Sequence, residues 1–280
     1  MERLLLLCAA LAMLNACAVR GYVVDRVGDA IAQGGSAFSS DGDPELVREA
    51  APFSLKLTES LLQERPRHPG LLLAAARGFT QYAYAFLQQD AEEAEDHDLA
   101  RALRLQERAR ALYRRARDYG LRGLAESPED VALLYWTGAA WAALIALSKH
   151  DPETLAGLPQ VDRLMRLALE RDEAFARGAI HTFMIGYEMA RPGAGGDPAA
   201  RARRHFERAL QLSAGGDAAP FVALAEAVCV PRQRRAEFDA LLHQALRVDL
   251  ERHPEIRLAN LLAQRRARWL QSRTERLFIE

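Results

Sequence analysis

Lysine is nearly missing from this sequence: of 37 basic residues only Lys56 and Lys149 are lysines, and the rest are arginines. A bias spread through the whole chain in this way points to coding preference more than to a recognition device. Against 38 acids it leaves a formal net charge of −1, so no global field exists to draw in nucleic acid or an acidic surface. Cysteine is scarce as well, with Cys8, Cys17 and Cys229 the only three. Long apolar runs are absent. The longest, residues 4–14, is far short of the about 20 residues that a bilayer-crossing helix needs.

Catalytic patterns are missing too. His97, His150, His205 and His243 stand in unrelated contexts, and no His/Cys/Asp/Glu cluster has metal-ligand spacing. His181 and Glu188 share a helix face seven residues apart, which a packed or solvated pair explains more simply than a metal. "RPGAGGDP" lacks the Gly-Lys-Ser/Thr ending of a phosphate loop and reads as a connection between helices. Cys229 has no histidine nearby in sequence to activate it, and no Gly-x-Ser-x-Gly elbow occurs. The expectation is a protein with no catalytic residues, no metal and no cofactor.

What is present begins with a leader. The run 4–14 has the length of a secretory h-region, and it ends in Leu14-Asn15-Ala16-Cys17. That ending resembles the lipobox of bacterial lipoproteins, in which the cysteine thiol receives a diacylglycerol and becomes the new N-terminus. The expected organisation is a signal peptide over 1–16, a lipidated N-terminus and tether over 17–42 containing Gly34-Gly35-Ser36, and a folded body over 43–280. Cys8 is discarded with the leader and Cys17 carries lipid, so Cys229 has no disulfide partner and packing must supply the stability. The implied location is the periplasm, anchored through lipid to the outer membrane, since Ala18 rather than Asp follows the cysteine.

The body is rich in Ala, Leu, Arg and Glu and poor in strand-like alternation. Asp43-Pro44, Ser127-Pro128, Asp151-Pro152 and Asp197-Pro198 each pair an N-cap side chain with a proline at the first helical position. Apolar spacings predict helices near 44–64, 69–89, 99–125, 129–148, 159–171, 178–190, 198–213, 218–229, 232–249 and 254–278. The chain is therefore expected to be all-α.

A degenerate repeat runs through it. Ala109/Tyr113/Ala116, Val161/Met165/Ala168 and Ala202/Phe206/Ala209 share a small-x3-large-x2-small spacing like the second helix of a tetratricopeptide repeat. Gly78, Gly138 and Gly186 stand where the first helix of such a repeat carries its glycine. An array of helical pairs ending in a long C-terminal helix follows. Counting from those glycines places Phe79, Tyr82, Tyr135, Phe183 and Tyr187 along one concave groove, suited to an apolar ligand or a partner's hydrophobic segment. An irregular bundle in which these rings are ordinary core is the alternative. The last helix carries Arg257, Arg265, Arg266, Arg268, Arg273 and Arg276 beside an apolar stripe of Leu258, Leu261, Leu262, Trp269, Leu270 and Leu277. Docking onto acids elsewhere in the chain is preferred for it over binding phosphate headgroups.

Several stretches add up to more than a repeat class. "DVALLYWTGAAWAALIAL", "GAIHTFMIGYEMARP", "HFERALQLSAG", "ALAEAVCVPRQRRAEFDALL" and "RLANLLAQRRARWL" resemble, in order, the T-component lipoproteins of tripartite ATP-independent periplasmic (TRAP) transporters. The resemblance implies a non-enzymatic periplasmic lipoprotein that works with the P-component, a soluble solute receptor. A hydrophobic small-molecule ligand and a homotrimer are also associated with the family. The other reading of the same fold and anchor is a general scaffold for outer-membrane or envelope assembly.

Overall fold

The computed structural model describes residues 26, 28–30, 36–191 and 195–279. The expected signal peptide over 1–16 and the expected lipidation residue Cys17 lie outside the described residues. The described chain is helical with no strand, and none of its helices is long and apolar enough to cross a membrane.

Eleven helices carry the architecture: α1 (Pro44–Glu64), α2 (Pro69–Tyr82), α3 (Gln89–Ala94), α4 (Leu99–Glu126), α5 (Val131–Ala146), α6 (Leu158–Arg171), α7 (Phe175–Ala190), α8 (Pro198–Ser213), α9 (Ala219–Leu224), α10 (Arg235–Leu246) and α11 (Arg257–Ser272). Their starts follow from short side chains that accept the first free N–H groups. The carboxylate of Asp43 accepts from Glu45 N at 3.0 Å and Leu46 N at 3.1 Å, and Asp197 accepts from Ala199 N at 2.9 Å. Asp151 caps the short helix Pro152–Leu155 in the same way. The Ser127-Pro128 expectation is corrected. Pro128 and Glu129 form a turn, and Asp130 is the cap of α5, accepting from Leu133 N at 2.9 Å.

Two departures from regular helix were not expected. α2 runs into α3 through a π-helical stretch, Ala83–Gln88, and α9 continues into another, Ala225–Cys229. At the start of α7, Ala176, Arg177 and Gly178 all have positive φ (44°, 62° and 90°), so the regular helix begins only after Gly178. Two of these residues pay the left-handed steric penalty. Arg177 Nη2 holds the turn by donating to Ser213 O at 2.7 Å, at the C-terminal end of α8. The single expected helix over 254–278 is interrupted: a 3₁₀ turn Pro254–Ile256 precedes α11, and the chain bends again at Arg273 before Thr274–Leu277.

Consecutive helices pack as neighbours: α1 on α2, α2 on α4, α4 on α5, α5 on α6, then α7 on α8, α9 on α10 and α10 on α11. The small residues singled out above lie at these crossings. Ala109, Ala116, Ala202 and Ala209 are fully buried, as are Tyr113, Val161, Met165 and Ala168. A Cβ on Gly78 would lie 2.7 Å from a Leu55 methyl, and one on Gly138 2.8 Å from Met165 Cε. Gly186 differs: a Cβ there would meet nothing within 4 Å, so close helix approach is not its role.

Apolar residues gather in separate clusters. One lies under α1, α2 and α4 (Leu55, Leu72, Phe79), one between α5, α6 and α7 (Leu134, Met165, Met184), and the largest within α7–α11 (Phe221, Val228, Phe238, Leu270). α11 then returns to the start of the chain, where Leu258 and Leu262 pack on Val47, Ala85 and Phe86. The array thereby closes on itself.

Candidate functional site

Tyrosines gather where the first π stretch and α5 come near one another. Tyr84 is carried by the first π stretch and is 54% exposed, yet desolvation raises its pKa, followed by the charges of Arg266 (opposing), Glu226 and Glu92. Tyr135 of α5 is half-buried, and its pKa is raised by desolvation and then by the charges of Asp217 and Tyr84. Residues before α3, in α5 and before α9 thus lie near one another. Asp217 lies half-buried there with its pKa raised by desolvation, and one of its oxygens accepts from Ala219 N at 2.9 Å.

The five rings assigned to a groove by repeat spacing fall into two clusters. Phe79 is 2% exposed and stacks on Tyr119 with centroids 6.0 Å apart, so its ring is part of the core beneath α2. Tyr82 is half-buried beside Phe86, 5.6 Å away. Tyr135, Phe183 and Tyr187 share the second cluster. Tyr135 lies 5.4 Å from Phe175, and Phe183 stacks on Tyr187 at 5.5 Å. Tyr187 is buried, while Phe183 is half-buried. The partly exposed rings Tyr82, Tyr84, Tyr135 and Phe183 are those with surface to offer a guest. Tyr84 escaped the sequence reading because the count from Gly78 ended at Tyr82, before the π stretch begins.

Elsewhere polar groups are committed to one another. His181 and His205 meet across α7 and α8 with Nδ1 atoms 2.8 Å apart, so one ring donates and the other accepts. Burial, then the neighbouring His181, pushes His205 down to about 4. Glu188 pairs with Arg201 at 2.5 Å and Arg191 at 3.4 Å. Cys229 is buried, and desolvation followed by Glu237 pushes its thiol up to about 11, leaving it protonated and a poor nucleophile. No group of three or more metal-ligating side chains occurs among the described residues.

The basic C-terminal segment docks onto acids. Arg265 reaches Asp90 at 2.9 Å and Glu93 at 2.5 Å, Arg266 bridges Glu92 and Glu226, and Arg273 and Arg276 converge on Asp96 at 2.7 and 2.6 Å. Arg257 pairs with Glu251.

With this geometry established, comparison with known proteins places the chain. The family model for the TRAP transporter T-component matches residues 40–129 and 127–278, which is nearly the whole described body. The chain belongs to the TRAP transporter T-component family. The two matched segments meet at the turn between α4 and α5. An uncharacterised protein of Treponema pallidum (strain Nichols) is 28% identical over 271 residues, covering 87% of this chain and 83% of the relative. Membership assigns the chain to a TRAP transport system as a T-component, and the all-α fold accords with the helices read from the sequence.

Proposed function

We propose that this T-component is a non-enzymatic, lipid-anchored periplasmic partner of the P-component solute receptor, and that its partly exposed aromatic rings take up an apolar ligand. The observation that carries the ligand is the set of partly exposed aromatic rings Tyr82, Tyr84, Tyr135 and Phe183. Aromatic faces with a few hydroxyls suit an apolar guest that carries one or two polar groups. The leader and Cys17 support the anchor, and the family supports association with transporter components.

The test is capture from envelope membranes with the full-length protein as bait, read by mass spectrometry for both protein and small molecules. The P-component of a TRAP system should co-purify, together with an apolar compound that is lost in Tyr84→Ala and Tyr135→Ala variants of normal stability. Recovery of outer-membrane or cell-wall assembly proteins in place of a solute receptor would replace this reading with an envelope scaffold.

A further inference from the structure

One turn outside the helices is held in an unfavourable shape. Between the π stretch Ala225–Cys229 and α10, Gln233 has a positive φ of 53°, which side chains other than glycine seldom adopt. Its own side chain holds it there. The amide nitrogen donates to Val230 O at 2.9 Å and to Leu277 O at 3.0 Å, and the amide oxygen accepts from Ile279 N at 2.9 Å. Backbone bonds from Arg232 N to Val228 O and from Arg234 N to Cys229 O fasten the turn on either side of it. Strain of this kind persists only where the surroundings impose it, and it gathers at ligand clamps.

The turn presents Arg232 and Arg234 to a cavity of about 120 Å³, which Arg203 of α8 also lines. Asp197, the cap of α8, is the one acid in the lining. These cations are unequally matched. Arg203 is fully engaged: its two terminal nitrogens donate to the two oxygens of Glu237, one of them at 2.9 Å. Arg232 has a single long contact, 3.4 Å to Asp197 Oδ1, an oxygen that already accepts from Ala199 N at 2.9 Å. Arg234 likewise has one, 3.5 Å to the Glu237 that Arg203 holds. A charge-assisted bond is normally about 2.7–2.9 Å long, and each guanidinium carries five donors. Among the described residues, most of two guanidinium forks therefore lacks a close acceptor, and three positive charges stand against Asp197 and Glu237.

We propose that this cavity binds a phosphate group, clasped by Arg232 and Arg234. A water needs only about 10–15 Å³ of such space, so a tetrahedral oxyanion has room. A carboxylate fits less well. Its two oxygens are used up by a single fork, as Glu237 shows against Arg203. A phosphate has oxygens enough for two forks and matches guanidinium geometry at each. The site is separate from the aromatic rings and does not depend on the apolar-ligand reading. The same group can arrive as free phosphate or at the head of a phospholipid.

Isothermal titration calorimetry of the full chain with inorganic phosphate tests the site, at fixed ionic strength so that screening stays constant. Saturable one-to-one binding in the millimolar range or tighter is expected. The double change Arg232→Gln with Arg234→Gln should weaken it about tenfold or more, because a hydrogen bond to a charged group is worth roughly a decade in affinity. Both side chains are half or more exposed, so the variant should keep the wild-type melting temperature. Arg235→Gln is the control: it follows directly in the chain but pairs with Glu275 and does not line the cavity, so it should bind as wild type does. Absence of saturable phosphate binding by the wild-type chain overturns the proposal, whether or not the double variant folds. Equal weakening in the control overturns it too, since that would mark general charge attraction. So does acetate that binds as tightly as phosphate.

Phosphatidylcholine vesicles with and without phosphatidic acid then separate the two sources. The full chain carrying Cys17→Ser is used, so that no lipid anchor contributes. Sedimentation that requires phosphatidic acid, is competed by free phosphate and is lost in the double variant supports the site with a headgroup as its source. Calorimetric binding without such sedimentation supports it with the free ion.

Discussion

A single methyl group tests the packing between α4 and α5. A Cβ on Gly120 would lie 2.1 Å from Thr137 Oγ1, 2.9 Å from its Cβ and 3.1 Å from its Cγ2. Thr137 is fully buried and β-branched, so it has few rotamers to retreat into. In an unconstrained helix Gly→Ala gains about 0.8–1 kcal/mol. Overpacking of a tight core costs about 1–3 kcal/mol, and a 2.1 Å overlap belongs at the upper end of that range. Gly120→Ala should therefore lose roughly 2 kcal/mol net, or about 4–8 °C in Tm at the 2–4 °C per kcal/mol usual for this size. Gly186→Ala is the matched control. It adds the same methyl on another helix where nothing lies within 4 Å, so the propensity gain should appear alone, as a rise of about 2–4 °C. Thermal unfolding followed by circular dichroism reads both. A Gly120→Ala protein as stable as the parent would show that α4 and α5 do not approach as closely as described.

Ala209→Leu should cost about 1–3 kcal/mol by the same overpacking, since Ala209 Cα lies 3.3 Å from where a Cβ on Gly178 would sit; an unchanged melting temperature would place Ala209 on the surface. Phe79→Ala should destabilise by about 3–5 kcal/mol in denaturant titration, whereas the half-buried Tyr135 should lose markedly less on truncation. Acidification should weaken the fold through the histidine pair. His205 sits at about 4 when folded and near 6.5 when unfolded, so the unfolded chain binds the extra proton between those values and stability falls as pH drops from 6.5 toward 4. His205→Gln should flatten the pH dependence of Tm across that window, and a slope equal to wild type would exclude the pair as its source. Cys17→Ser should shift the protein from the membrane to the soluble periplasmic fraction, as fractionation and immunoblotting would report.

Helix starts were legible in the sequence because an Asp-Pro pair leaves the chain little choice. Ser127-Pro128 misled because Asp130, two residues on, is the better acceptor once the proline has spent itself in a turn. The small residues of the repeat pattern were also legible, since burial at a crossing tolerates only small groups. The groove was less so. Counting from Gly186 relied on its repeat position alone, and nothing lies within 4 Å of where its Cβ would sit. Insertions between helices then split the rings into two clusters. The charges that pair the C-terminal segment with the start of the body are plain in the sequence as an acidic run at 90–96 and a basic one at 257–276, but 170 or more positions separate each pair. Nothing local pairs them. π stretches are invisible for a different reason: "AYAFLQ" has the composition of ordinary helix, and its backbone departs from it only because the surroundings favour one extra residue per turn.

That extra residue acts as a phase shifter. An α-helix turns about 100° per residue, so an insertion absorbed within Ala83–Gln88 rotates everything downstream by that amount relative to everything upstream. Upstream, α2 presents Leu71, Leu72 and Phe79 to the core; downstream, α3 presents Asp90 and Glu93 to Arg265. A regular helix through the same span would satisfy one of these two faces and turn the other about 100° out of register. Loss or gain of one residue here is therefore an angular change rather than a change of length, and it would unfasten α11 while leaving every surrounding helix intact.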